Sequence, residues 1–206
     1  MDAPHLTAFN QKKRLATLWL MAGLFLFAFA LTRPLADEGT SLHEALEVTG
    51  LVLVFAAILG RLWAILFIGA RKNAELVTDG PYSMCRNPLY FFSLLGIAGV
   101  GLMFGSLLLT ALVTAAAVVI FRYTALREAG YLRSRFPAAY EAYAARTPLL
   151  WPDPRLYASA ETVAFSQAAL TKTFLDCLAF LALFPLAEGI EALHLAGYLP
   201  TVLFLP

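Results

Sequence analysis

Leu89-Tyr90-Phe91-Phe92-Ser93-Leu94-Leu95-Gly96-Ile97-Ala98-Gly99-Val100-Gly101-Leu102-Met103-Phe104 is followed by Gly105-Ser106. Leu107-Leu108-Leu109-Thr110-Ala111-Leu112-Val113-Thr114-Ala115-Ala116-Ala117-Val118-Val119-Ile120-Phe121 comes next. Two long apolar runs parted only by Gly-Ser read as a tight hairpin of two helices. A helix rises about 1.5 Å per residue and a hydrocarbon core is about 30 Å thick, so a crossing takes about 20 residues. Both runs are therefore short for a span, and such helices tilt little or thin the bilayer around them.

Working outward, three further runs have the same character. Residues 15–32 come first, residues 46–70 second with Arg61 as their one charge, and residues 174–186 last, ending at Glu188 and Glu191. The first run follows Lys12-Lys13-Arg14, but Thr32-Arg33-Pro34 follows it instead of a small-x-small cleavage site, so it reads as a retained membrane helix and not a signal peptide. The expectation is an all-α fold: a polytopic membrane helix bundle of about five transmembrane helices with a cytoplasmic helical cap. The chain is one integral membrane domain over residues 1–206, with a core over 60–148 and an extra C-terminal helix within 172–206.

Composition agrees. The 206 residues are 60% hydrophobic and 14% charged, and mean hydropathy is +0.72; soluble domains are nearer half apolar and a quarter charged. A net charge of +1 argues against a nucleic-acid partner, which would need clustered basic excess. Cys85 and Cys177 are too far apart to read as a metal site and are expected as free, buried thiols. His5, His43 and His194 have no ligand partner at useful spacing, so no metal is expected. Gly96, Gly99, Gly101 and Gly105 follow no strand; they suit close helix packing and not a dinucleotide loop.

Alternate loops gather the basic residues: Lys12, Lys13 and Arg14; Arg71, Lys72 and Arg86; then Arg122, Arg127, Arg133, Arg135, Arg146, Arg155 and Lys172. The other side holds Arg33 beside Asp37, Glu38, Glu44, Glu188 and Glu191. By the positive-inside rule the N-terminus and the basic loops face the cytoplasm. Two segments on that side are left to carry chemistry, 71–88 and 123–172. In the second, Leu132, Phe136, Tyr140 and Tyr143 share one helical face. Pro137 restarts the helix, and 148–154 form an interfacial loop with Trp151 at headgroup depth.

Within 75–90, Asp79-Gly80-Pro81 is a turn, and Asn87-Pro88 reads as an N-cap followed by a proline in the first helical turn. The third helix thus opens next to a fixed cation, Arg86, where free N–H groups favour anions. Glu128, just past the fourth apolar run, is costly near a membrane boundary unless a cation meets it. The hairpin returns it to the side of Arg86, its candidate neighbour. A capped loop, a snorkelling arginine and a solvated glutamate would satisfy the same residues. Arg61 suits either a snorkelling position beside Trp63 or a reach into this site.

Together these residues resemble a known family. Leu-Val-Thr-x-Gly-Pro-Tyr, Arg-Asn-Pro-x-Tyr, a hairpin, then Glu128 followed by Leu132, Phe136, Tyr140, Tyr143 and Pro148 is similar to the isoprenylcysteine carboxyl methyltransferases and their phospholipid methyltransferase relatives. The resemblance covers residues 60–148. Asn87 stands where a histidine is commonest, Ala129 where a second glutamate is usual, and Pro137 where a glycine is usual.

The resemblance implies transfer of a methyl group from S-adenosylmethionine to a lipophilic, membrane-dissolved acceptor such as an isoprenylcysteine-like carboxylate, a lipid amine or a thiol. It places Val77, Gly80, Pro81, Tyr82, Asn87, Tyr90 and Glu128 around the cofactor, with Arg86 and Glu128 bracketing the reacting centre. Rival readings are an NADPH-dependent membrane reductase related to the sterol reductases, with Arg71 and Lys72 serving a phosphate, or a non-catalytic membrane bundle.

Overall fold

The computed structural model describes residues 23, 32–34, 40–71, 74–198 and 203–205. Its elements are β1 (Thr32–Pro34), α1 (Ser41–Ile68), the single turn α2 (Pro81–Met84), α3 (Pro88–Met103), α4 (Leu107–Arg135), α5 (Pro137–Arg146), a 3-10 turn at Pro154–Leu156, α6 (Gln167–Leu195) and β2 (Leu203–Leu205). The fold is an all-α membrane bundle; one short parallel ladder pairs β1 with β2, Thr32 opposite Leu203.

Among the described residues, three helices are long and apolar enough to cross a membrane: Ser41–Ile68, Leu107–Arg135 and α6 over Gln167–His194; α3 is apolar but shorter. On α1, Val48, Val52, Phe55 and Leu59 are exposed. Their steps of four, three and four make one apolar stripe turned away from the bundle, as befits a helix whose solvent is lipid.

The bundle corrects several expected boundaries. The expected first helix, 15–32, lies outside the described residues except for Gly23 and Thr32, and Thr32 stands in β1. The second helix starts earlier than 46, at Ser41, because the Thr40 side chain accepts from the His43 N–H and caps it. The fourth does not stop at Phe121 but runs to Arg135. Charges end an apolar run without ending a helix, and residues 122–135 hold no proline. The expected cap from residue 123 thus begins as a continuation of α4. Pro137 restarts the chain as α5, as its ring suits a first turn. The last helix is likewise longer than 174–186: the Ser166 side chain caps it, and Pro185 stands inside it.

Glycines set the helix spacing. A Cβ on Gly50 of α1 would stand 2.5 Å from the Gly99 carbonyl of α3, and one on Gly99 would stand 2.6 Å from the Gly50 carbonyl. The two backbones touch at this crossing, as small residues permit in a membrane. Behind it, Val54, Ile58, Val100, Met103, Phe104 and Cys177 form a buried core. Cys85 and Cys177 are both free and buried. Gly105, in the hairpin turn, has φ of 72°, a conformation that glycine adopts without strain.

Helix lengths fix the level of the site. α3, with 16 residues, spans about 24 Å, whereas α4, with 29, spans about 43 Å. Measured from Leu107, Glu128 lies about 31 Å along α4, at the far edge of a core about 30 Å thick.

Candidate active site

The site forms where the loop before α3 is gripped by α5 and by the strap that follows it. Gly80 makes the entry turn. Its φ of 59° with ψ of −133° is a glycine conformation, and a Cβ there would lie 2.3 Å from the Phe67 ring. Val77 packs with Ala64, Phe67 and Tyr82, and Pro81 is fully buried at the first position of α2.

The strap, residues 148–158, is stitched to this loop by alternating bonds. The Arg86 N–H donates to the Pro148 carbonyl at 2.8 Å, the Asp153 N–H to the Met84 carbonyl at 3.0 Å and the Gly80 N–H to the Ala158 carbonyl at 2.7 Å. The Ala158 N–H donates to Ser83 Oγ at 2.9 Å. Asn87 does not cap α3 with its side chain. Its Nδ2 donates instead to the Leu149 carbonyl at 2.9 Å, which ties the helix start to the strap. From α5, Tyr143 Oη donates to the Tyr82 carbonyl at 2.6 Å.

Two polar arms meet at this lock. Arg86 Nη1 donates to Tyr140 Oη at 3.2 Å. Tyr90 Oη donates to Glu128 Oε1 at 2.8 Å, and the Tyr90 ring stacks on Phe121 with centroids 5.1 Å apart. Arg86 and Glu128, expected from sequence as candidate neighbours, are each engaged by a tyrosine. Between the arms lies Tyr82. Burial pushes its hydroxyl well above the usual phenol range, and Tyr143, Cys85, Glu128 and Tyr90 push it the same way. Burial also raises Tyr143, an effect that Arg86 partly opposes, and it pushes the Cys85 thiol up to about 12. At neutral pH all three are uncharged.

Two atoms in this cluster break the rule that buried polar groups are paired. Tyr82 Oη and Arg86 Nε are buried and have no hydrogen-bond partner. Leaving such a group unmatched costs about 1–3 kcal/mol.

Of the residues expected to form the site, Tyr82, Arg86, Asn87, Tyr90 and Glu128 are brought to one locality, while Val77 and Gly80 lie against Phe67 on the α1 side. Sequence reasoning missed Tyr140 and Tyr143 as parts of the site. Their spacing with Leu132 and Phe136 marked a packing face, which it also is. Among the described residues no group of three or more His, Cys, Asp or Glu side chains is placed to hold a metal ion.

Residues 44–139 match the model of the phospholipid methyltransferase family. The chain is 37% identical over 188 residues to the cobalt-zinc-cadmium resistance protein CzcN of Cupriavidus metallidurans, an alignment covering 91% of this chain and 87% of that one. It is 36% identical over 169 residues to the nickel-cobalt-cadmium resistance protein NccN of Alcaligenes xylosoxydans xylosoxydans, covering 82% and 79%. No solved structure matches it.

Proposed function

Because this chain belongs to the phospholipid methyltransferase family, we propose that it transfers a methyl group from S-adenosylmethionine to a lipophilic acceptor dissolved in the membrane. The observation that carries this reading is the pair of unmatched buried atoms, Tyr82 Oη and Arg86 Nε, in the cluster that also holds Glu128 and inside the matched segment. An enzyme keeps such atoms unsatisfied where a ligand satisfies them. Bound S-adenosylmethionine supplies an electrophilic methyl on a sulfonium, together with a carboxylate. Arg86 suits the carboxylate through its unused Nε. Glu128, oriented by Tyr90, suits the sulfonium charge, as do nearby aromatic faces. Asn87, Tyr82 and the backbone of Val77, Gly80 and Pro81 complete the lining.

Methyl transfer is a displacement that gains mainly from alignment and from exclusion of water. The strap supports both, since it fixes Asn87 and covers the loop. An acceptor carboxylate needs no base; an amine or thiol must lose a proton. Glu128 is the carboxylate in place to take it, the phenols of Tyr82 and Tyr143 being held protonated by burial. The asymmetry of basic residues supports a cytoplasmic-facing site. The names of the two relatives direct the search for the acceptor to cells challenged with cobalt, zinc, cadmium or nickel.

Two measurements test the reading. S-adenosylhomocysteine should raise the melting temperature of the detergent-solubilised protein in a concentration-dependent way, and Glu128→Ala should weaken that effect. Stabilisation by NADPH instead would favour the reductase reading, and stabilisation by neither would support a non-catalytic bundle. Radiolabelled methyl incorporation into lipid extracts of cells grown with and without these metals then identifies the acceptor.

A further inference from the structure

Arg61 lies within the most apolar of the three long helices, seven residues before its last residue, Ile68. That is about 10 Å along α1 from the end where Arg71 stands. An arginine does not lose its charge in proteins, and a cation at such depth is expensive unless something meets it. What meets it here is neutral. Arg61 Nη1 donates to Ser93 Oγ across the α1–α3 interface, and Ser93 Oγ donates onward to the Leu89 carbonyl at 2.7 Å. Arg71 pairs with Asp79 and Arg133 with Glu141, whereas Arg61 bonds to a serine. Its Nε is buried without a hydrogen-bond partner. A clamp between two helices does not need a charge, because a neutral amide also donates to a serine hydroxyl. A fixed cation with an unused, buried N–H is instead the equipment of an anion site.

Its position relates it to the candidate active site. Ser93 follows Tyr90 by three residues on α3, so the two lie on adjoining faces about 4.5 Å apart along the helix axis, and Tyr90 holds Glu128. Beside Arg61, the missing side chain of Gly60 lets Phe92 approach so closely that a Cβ would lie 2.1 Å from its ring. Aromatic rings then continue from Trp63 to Phe92 at 6.4 Å, to Phe91 at 5.3 Å, and to the exposed Trp151 at 6.1 Å. A cationic point bordered by an apolar aromatic flank fits a molecule with an oxyanion at one end and a hydrocarbon chain at the other.

We propose that Arg61 binds a carboxylate or phosphate oxygen of an anionic amphiphile seated at the α1–α3 interface. This anion site stands apart from the methyl-transfer reading.

The test therefore uses binding, with no turnover. The full chain carrying Trp19→Phe and Trp151→Phe reports through Trp63 in neutral detergent micelles. The probes are dibrominated dioleoyl phosphatidic acid and dibrominated dioleoyl phosphatidylcholine, whose bromines quench the indole. Phosphatidic acid should quench at about tenfold lower mole fraction, the ratio that one charge-assisted hydrogen bond supports. Arg61→Gln should abolish the preference, and Ser93→Ala, which leaves the cation in place, should keep it. Equal quenching by the two lipids before any change at Arg61, or a preference that survives Arg61→Gln, overturns the proposal. Should Arg61→Gln fail to fold, competition on the Arg61-containing protein decides. Unbrominated phosphatidic acid should displace the probe while inorganic phosphate at equal concentration should not; displacement by inorganic phosphate overturns a lipid-borne anion. Loss of S-adenosylhomocysteine stabilisation would count against the methyl-transfer reading alone, since the quenching does not depend on it.

Discussion

Changing Tyr90 to phenylalanine subtracts one hydroxyl and leaves the ring that stacks on Phe121. The hydroxyl donates to Glu128 Oε1 at 2.8 Å, a bond to an ionised acceptor. Such bonds contribute about 1.5–3 kcal/mol, which corresponds to roughly a 10- to 150-fold change in an equilibrium constant. If Tyr90 acts on the cofactor by orienting Glu128, Tyr90→Phe should weaken S-adenosylhomocysteine binding by at least about tenfold while the fold persists. The mechanism is separable by a double-mutant cycle. Isothermal titration of the unaltered protein, Tyr90→Phe, Glu128→Ala and the double variant yields a coupling energy. Removing the hydroxyl should add little once the carboxylate is gone, so the coupling should equal most of the single-variant effect. Independent sites add to within about 0.3–0.5 kcal/mol. Additivity of that quality would refute the claim that Tyr90 works through Glu128.

Three further outcomes are expected. Gly80→Ala forces a side chain into a glycine conformation and against Phe67; the backbone alone costs about 1–3 kcal/mol, so the melting temperature should fall clearly, and an unchanged value would contradict the turn geometry. Arg86→Lys loses the planar fork that serves Tyr140 and leaves Nε for a ligand, so S-adenosylhomocysteine affinity should drop while the melting temperature without ligand stays near that of the parent. Cys85, with its pKa raised to about 12, should resist maleimide at pH 8, where only about one thiol in ten thousand is ionised. Between pH 9 and 12 the unfolded thiol releases its proton while the folded one keeps it, so the unfolded state binds fewer protons and stability must decline as pH rises. A melting temperature that climbs over that interval would contradict the burial of the thiol.

The sequence announced some of this architecture and concealed the rest for physical reasons. Hydropathy located the hairpin, because Gly105-Ser106 is the only break between two apolar runs, and the order of the blocks around Arg86 and Glu128 pointed to the family that the comparisons show. The apolar runs end at Phe121 and begin at Phe174, short of the helix ends at Arg135 and Gln167, because lipid solubility and helicity end at different places. Asn87 looked like a cap because capping is a local rule. Its bond to Leu149, 62 residues on, depends on the strap folding back. The Tyr143–Tyr82 bond, spanning 61 residues, was hidden for the same reason. Arg61 suits either snorkelling or a reach into the site by sequence alone, because its attachment to Ser93 depends on the tertiary contact of α1 with α3.

The strap has a consequence for how the protein is made. Every bond that it forms with the loop before α3 is complete by Ala158, before α6 begins at Gln167. Residues 159–166 between them are mostly exposed and carry no regular structure. A nascent chain can therefore close its site while the last helix is still in the ribosome. That helix then docks on a finished module, through Cys177 and Phe180 against the Val54–Ile58 side of α1. Synthesis order and spatial order coincide here, and a chain severed between Ser159 and Phe165 would keep the strap joined to the loop that it locks.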